Sequence, residues 1–199
     1  MDYEEYLNLN KILNAQTPKT TEPLEMMFIV AHQSSELWFK ILIQELTQLI
    51  EVPKDMHPNI ANRPVVLSGY GPDYNPIIQL QRIIKIFEHL NSLWDIVATI
   101  QPNEYEIFRN KLGTASGKQS KQYSKVETLL TKLIKRWNYK YKHQLLDIEI
   151  AFKKWQFSHM KTVERIIGDK PGTGGTDGVD YLRRMVDSPL REDHQWKGW

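Results

Sequence analysis

The chain has 199 residues, 41% of them hydrophobic and 25% charged, with a formal net charge of +2 and no cysteine. That length and balance predict one globular domain over residues 1–199 with a substantial core. They exclude disulfides, thiolate metal sites and iron–sulfur clusters, and the small net charge argues against a nucleic-acid or membrane surface. The opening "DYEEYLNLNK" is acidic and amphipathic, unlike a signal peptide. No apolar run approaches the roughly 20 residues of a membrane span. Together with the lack of cysteine, which fits a reducing compartment, this predicts a cytoplasmic protein.

The hydrophobic pattern is helical nearly throughout. Tyr3, Tyr6, Leu7, Leu9 and Leu13 fall at helical spacing and predict a helix over 3–15. Pro23 suits a first helical turn, and apolar residues then recur every three or four positions to Ile50. Residues 52–75 carry four prolines and two glycines and read as a long irregular connection, in which "PVVL" has no strand to pair with. Pro76 opens a helix running to about Ile100. Pro102 starts a short one, "NEYEIFRNKL", closed by Gly113. Residues 119–137 form another, and the longest runs from about Tyr139 to Ile167, closed by Gly168. Val179 to Val186 form the last, before a loose or partner-bound tail over about 187–199. The fold class is all-α, a bundle of long helices.

Four stretches carry candidate chemistry. "GTGGTDG" at 172–178 holds four glycines after a helix. It lacks the Gly-Lys-Ser/Thr end of a phosphate loop and the βαβ setting of a dinucleotide fingerprint. It reads either as a helix-to-helix turn or as a flexible loop able to wrap a small polar ligand. His159 shares one helical face with Phe152, Trp155, Val163 and Ile166. A single imidazole on an apolar wall is either a hydrogen-bonded core histidine or an axial ligand to a haem, with the wall suiting the macrocycle. His32 lies on a second apolar helix, one turn after Phe28 and one turn before Glu36. Two histidines with Glu36 and Glu164 leave zinc open, though unspecific. Tyr105 and Arg109 are four apart and point the same way. They are either solvated side chains or a clamp for an amino-acid carboxylate. "KRWNYKYKH" at 135–143 interleaves basic and aromatic residues, but its setting favours an exposed helix face over nucleic-acid stacking.

Taken together, four separated blocks resemble the tryptophan 2,3-dioxygenase family: "DYEEYLNLNKILNAQ", "EMMFIVAHQSSELWFK", "EYEIFRNKLGTASGKQSKQY" and "FKKWQFSHMKTVERIIGDKPGTGGTDGVDYL". The resemblance implies a helical bundle enclosing a haem pocket, with haem b as cofactor and O₂ as co-substrate. His159 corresponds to the proximal ligand of the haem iron, with Trp155 and Val163 on the haem wall. His32 corresponds to the distal catalytic histidine facing the indole N–H, and Phe28 to a wall of the indole pocket. Arg109 and Tyr105 match the pair holding the substrate carboxylate. Thr173 matches the loop threonine contacting the substrate ammonium and carboxylate. Ser116 and Gly117 match the stretch over the distal haem face. Tyr3, Tyr6 and Leu7 match the helix of a neighbouring subunit that closes the pocket, which implies a homo-oligomer, tetramer or dimer.

The implied reaction opens the indole ring of L-tryptophan, or of a close analogue, with both oxygen atoms entering an N-formylkynurenine-type product of the kynurenine pathway. The alternatives are a haem-dependent monooxygenase on an indole or aromatic amino acid, and a haem- or tryptophan-binding protein without turnover. This chain departs from the family at Lys118, where phenylalanine is usual, and at Ser124, where arginine is usual. It also nearly lacks a stretch that the family carries between the helix near Glu127 and the helix of His159.

Overall fold

The computed structural model describes residues 1–51, 76–136 and 141–190. Among these residues every regular element is helical: α1 (Tyr3–Leu7), α2 (Leu9–Leu13), α3 (Pro23–Glu51), α4 (Pro76–Val97), α5 (Pro102–Arg109), a 3₁₀ turn (Gly117–Gln119), α6 (Lys121–Arg136), α7 (Lys142–Ile167) and α8 (Val179–Asp187). The expected irregular connection over 52–75 with its "PVVL", the expected helix start at Tyr139 and the tail from 191 onward lie outside the described residues.

Four long helices make the body. α4 packs along α7, α3 packs on both α6 and α4, and α8 folds back onto α7. The stripes that meet are legible residue by residue. α4 buries Leu80, Ile83, Phe87, Leu90, Trp94 and Val97, alternately three and four apart. α7 buries Leu145, Ile148, Phe152 and Trp155 at the same spacing, and α6 buries Val126, Leu130 and Leu133. Each fully buried leucine, isoleucine or phenylalanine contributes about 1.5–3 kcal/mol relative to exposure. Aromatic rings join the helices: Phe87 meets Phe152 at 5.4 Å between centroids, and Trp155 meets Phe39 at 5.6 Å and Tyr123 at 5.7 Å. Edge and tilted contacts of this kind add to simple burial.

Several boundaries differ from the sequence expectation, each for a local reason. The single helix expected over 3–15 is two, because Asn8 takes the left-handed conformation (φ 52°, ψ 40°). Asparagine is among the few residues that tolerate it, and the Asn8 N–H closes α1 onto the carbonyls of Glu4 and Glu5. α6 begins at Lys121 rather than 119. Ser116 and Gln119 cap a separate turn first, and the Ser120 hydroxyl then accepts from the Tyr123 N–H at 3.0 Å. α5 ends at Arg109, and the chain turns through Gly113 (φ 58°). The tail is packed at its start. Leu190 is buried, and Lys153 donates to the carbonyls of Met185 and Ser188.

Phe87 is fully buried at the α4–α7 contact. Phe87→Ala is expected to cost about 3–5 kcal/mol in urea unfolding of the ligand-free protein. A cost below about 1 kcal/mol is incompatible with that packing.

Candidate functional site

A cavity of about 580 Å³ opens between α3, α4, α5 and α7, within the size range of small-molecule and cofactor sites. Its lining includes Phe28, His32, Tyr105, Arg109, Ser116, Gly117, His159, Val163 and Thr173. Nine of the sequence candidates, from five separate stretches, are therefore brought to one place. Tyr3, Tyr6 and Leu7 are not. They sit on α1, which buries no residue, with Tyr3 73% and Tyr6 67% exposed. Trp155 also differs from expectation. It is buried behind the wall rather than in it, its ring 6.1 Å from that of His159. Of the two departures, Lys118 lines the cavity, its ammonium 5.4 Å from the Tyr181 ring, whereas Ser124 is exposed on α6 and outside the lining.

His159 reaches the cavity because α7 carries it on the stripe of Phe152 and Trp155. Its ring stacks on Trp94 at 4.5 Å with 17° between planes. Burial, helped by the nearby His32, pushes its pKa down to about 4, so the ring is neutral. It makes no hydrogen bond to a described residue, so a ring nitrogen keeps an unshared lone pair. The core-histidine reading, which needs a partner, is therefore not met. Zinc fares no better, since no group of three His, Cys, Asp or Glu able to hold a metal ion occurs among the described residues. One neutral imidazole on an apolar wall fits a metal that already holds its other donors, as iron does in a porphyrin.

His32 is held differently. Its Nδ1 lies 2.7 Å from the Phe28 carbonyl oxygen. A carbonyl only accepts, so Nδ1 carries the proton and Nε2 is the acceptor of the neutral ring. Burial lowers the His32 pKa, outweighing the Phe28 carbonyl and Glu36, which raise it. The Phe28 ring packs 4.1 Å from His32 and 5.8 Å from Tyr105. Burial raises the Tyr105 pKa, so its hydroxyl stays a donor.

Arg109 is 15% exposed at the edge of the cavity. Its Nη1 lies 3.3 Å from Glu106, and its Nη2 donates to the Pro171 carbonyl of the glycine loop. The Thr173 hydroxyl donates to the Ala115 carbonyl at 2.6 Å. Gly174 lies so close to Ser116 that a Cβ built on it would sit 2.5 Å from the Ser116 Cβ. The loop thus lies directly on the 115–116 segment. Gly178, at φ 62°, lets α8 start under the Lys170 carbonyl, where a Cβ would meet that oxygen at 2.5 Å.

The sequence pattern alone missed two parts of the wall. Trp94 belongs to the buried stripe of α4, and nothing in its spacing separates it from a core side chain. Its Nε1–H is buried without a partner among the described residues. The second is the strap before α3, which contributes Thr17 and Lys19. Glu25, 1% exposed, holds it by accepting from the Lys19 and Thr20 N–H groups and the Thr20 hydroxyl, at 2.6–2.7 Å. Gln33 holds it further along, through Gln16 and the Ala15 carbonyl.

The chain is similar to known proteins over nearly its whole length. The family profile described as "Tryptophan 2,3-dioxygenase" matches residues 1–144 and 135–191, in two pieces that overlap from the end of α6 into α7. A tryptophan 2,3-dioxygenase of Bradyrhizobium sp. (strain BTAi1 / ATCC BAA-1182) is 32% identical over 265 aligned positions, covering 96% of this chain and 89% of the relative. The enzymes of that name from Pseudomonas aeruginosa (strain UCBPP-PA14), 32% identical, and Ruegeria pomeroyi, 30% identical, each cover 96% of this chain, and this chain covers 86% and 89% of them. Alignments longer than the 199 residues of this chain mean that the relatives carry residues it lacks.

Both cavity histidines have pKa values below the ordinary 6.5. As pH falls below 6.5 the unfolded chain therefore binds more protons than the folded one. Stability is complete above that pH and declines on acidification. For His159 alone, a shift from 6.5 to about 4 amounts to roughly 3 kcal/mol, lost by about pH 4. Urea unfolding of the ligand-free protein at pH 7 and at pH 5 is expected to show this decline. His159→Leu should make it shallower, and an unchanged slope would contradict the neutral buried imidazole.

Proposed function

Because the chain belongs to the tryptophan 2,3-dioxygenase family, we propose that it is a haem-dependent dioxygenase that opens the indole ring of L-tryptophan or a close analogue. The observation that carries this is one cavity lined by a neutral His159 on α7 with no hydrogen-bond partner among the described residues, an Nδ1-bonded His32 on α3, and Tyr105, Arg109 and Thr173. His159 would ligate the iron, with Val163 beside it and Ser116 and Gly117 over the opposite face of the ring. When bound there, haem b supplies the activation of O₂ that lets both oxygen atoms enter across the indole C2–C3 bond, giving an N-formylkynurenine-type product.

The chain's own residues would bind and orient. His32 keeps Nε2 unprotonated because Nδ1 is committed to Phe28, and Nε2 can accept the indole N–H. Phe28 supplies an apolar wall for the ring. Arg109 offers a planar fork to the substrate carboxylate, and Tyr105, kept protonated by burial, offers a hydroxyl to the same group. The glycine loop, resting on Ala115 and Ser116 through Thr173 and Gly174, would exclude water and bring the Thr173 hydroxyl to the ammonium end. The exposed tyrosines of α1 suit a lid over a neighbouring subunit's site in a homo-oligomer, since they contribute nothing to their own chain's core. No described helix is long and apolar enough to cross a membrane, and a cytoplasmic place in tryptophan catabolism fits this reading.

Three measurements test it. Protein reconstituted with haem is expected to show a histidine-ligated Soret band that His159→Ala abolishes or shifts. Absence of haem binding defeats the reading outright. With ferrous enzyme, O₂ and L-tryptophan, mass spectrometry is expected to find a product heavier by two oxygen atoms. A gain of one atom supports a monooxygenase, and no product with any indole supports a binding protein. Arg109→Ala removes charge-assisted hydrogen bonds and is expected to lower kcat/KM for L-tryptophan by roughly 10–100-fold, with far less effect on indoles lacking a carboxylate. Equal losses for both substrates would remove Arg109 from the clamp.

A further inference from the structure

The ion pairs around Arg109 go beyond what the clamp requires. Glu106, one turn before it on α5, places one carboxylate oxygen 3.3 Å from Arg109 Nη1 and 2.6 Å from the ammonium of Lys170 in the glycine loop. The Lys170 hydrogen bond is the main reason the Glu106 carboxyl lies below its ordinary pKa, so it is anionic. Arg109 Nη2 donates to the Pro171 carbonyl, one residue beyond Lys170. When the loop lies on α5, it therefore brings a lysine ammonium and an arginine guanidinium to the same oxygen. Without a carboxylate between them the two cations would repel, and the loop would have to hold Lys170 away. With it, both terminal nitrogens of Arg109 are committed, one to α5 and one to the loop, which fixes the plane of the guanidinium.

We propose that Glu106 is a positioning residue that ties Arg109 to the glycine loop through Lys170, so that orientation of the carboxylate-binding fork and closure of the loop are one event. The role of Arg109 toward the substrate rests on the functional reading above, whereas the latch itself does not. Glu106 touches no substrate. It acts by setting the direction in which the remaining donors of Arg109 point before a carboxylate arrives, which lowers the ordering cost of binding. Exposed ion pairs are individually weak. This one differs in two ways: it bridges two cations, and Arg109 is only 15% exposed. It also acts alongside the Thr173–Ala115 hydrogen bond and the close approach of Gly174 to Ser116.

Amide hydrogen exchange on the full ligand-free chain tests the latch. Glu106→Gln and Lys170→Met are each expected to raise exchange across residues 172–176 by roughly two- to fivefold, the scale of one weak ion pair. Lys85→Met, which breaks a comparable ion pair with Glu88 on α4, should leave the loop unchanged. Unchanged exchange in both loop variants overturns the latch, whatever the activity of the enzyme. In the haem-loaded enzyme, Glu106→Gln is expected to raise KM for L-tryptophan several-fold with a smaller change in kcat, and to leave an indole without a carboxylate unaffected. Raised exchange with an unchanged KM overturns the coupling to carboxylate capture. An enzyme that turns over no tryptophan at all strikes the functional reading instead, and the exchange result still decides the latch.

Discussion

The site depends on one placement: an imidazole where the packing of α4 against α7 would ordinarily put an apolar side chain. His159 follows Phe152 and Trp155 on the buried stripe of α7, and Trp94 of α4 stacks on it. Burial there costs the ring its charge, which is why its pKa falls to about 4. Neutrality leaves the ring able to bind a metal, because only an unprotonated nitrogen can donate to one. The helix packing thus fixes both the position of His159 and its protonation state. Trp155 belongs to the same arrangement from behind, locked between Phe39, Tyr123 and Phe152. It takes no part in the cavity wall, yet it fixes the turn of α7 on which His159 stands.

The opposite side of the cavity is assembled on another principle. α5 is anchored by the buried Tyr105 and Phe108, whereas the 115–117 segment and the glycine loop bury little of their surface and are held by polar contacts. The Gln101–Glu104 capping box sets the start of α5. Glu106, Arg109, Thr173 and Ser116 then join α5 and its following turn to the loop. Contacts of this kind open at low cost, which suits the proposed admission and covering of a substrate by the loop.

How much of this was legible in the sequence follows from the same division. α3, α4 and α7 were readable because their buried residues repeat every three or four positions, and a period survives ignorance of the partner helix. Phe28, His32, Tyr105, Arg109, His159 and Thr173 came to one cavity as expected, but the recurring blocks carried that expectation, not their spacing. The break at Asn8 was not readable, since it is a single backbone angle that asparagine tolerates without demanding it. Trp94 was hidden by its own regularity, being indistinguishable from the rest of the α4 stripe. The Glu106–Lys170 pair was invisible for the opposite reason, as it joins residues 64 apart that no local pattern relates.

The two pieces of the family match overlap from the end of α6 into α7. A segment missing at that point would leave every described wall of the cavity in place, because the lining comes from the strap, α3, α4, α5, the 111–120 stretch, the second half of α7, the loop beyond it and α8. α6 contributes nothing to that lining, and α7 contributes only from His159 onward. The first half of α7 still has its partner in α4, with Leu145, Ile148 and Phe152 buried. The segment can therefore be absent without disturbing either the core that seats His159 or the loop that covers the site. Within the cavity Lys118 places a cation near Tyr181 of α8. Its ammonium biases that wall toward ligands carrying negative charge. The ligand preference of the cavity is therefore expected to shift with the charge at position 118, apart from the placement of His32 and His159.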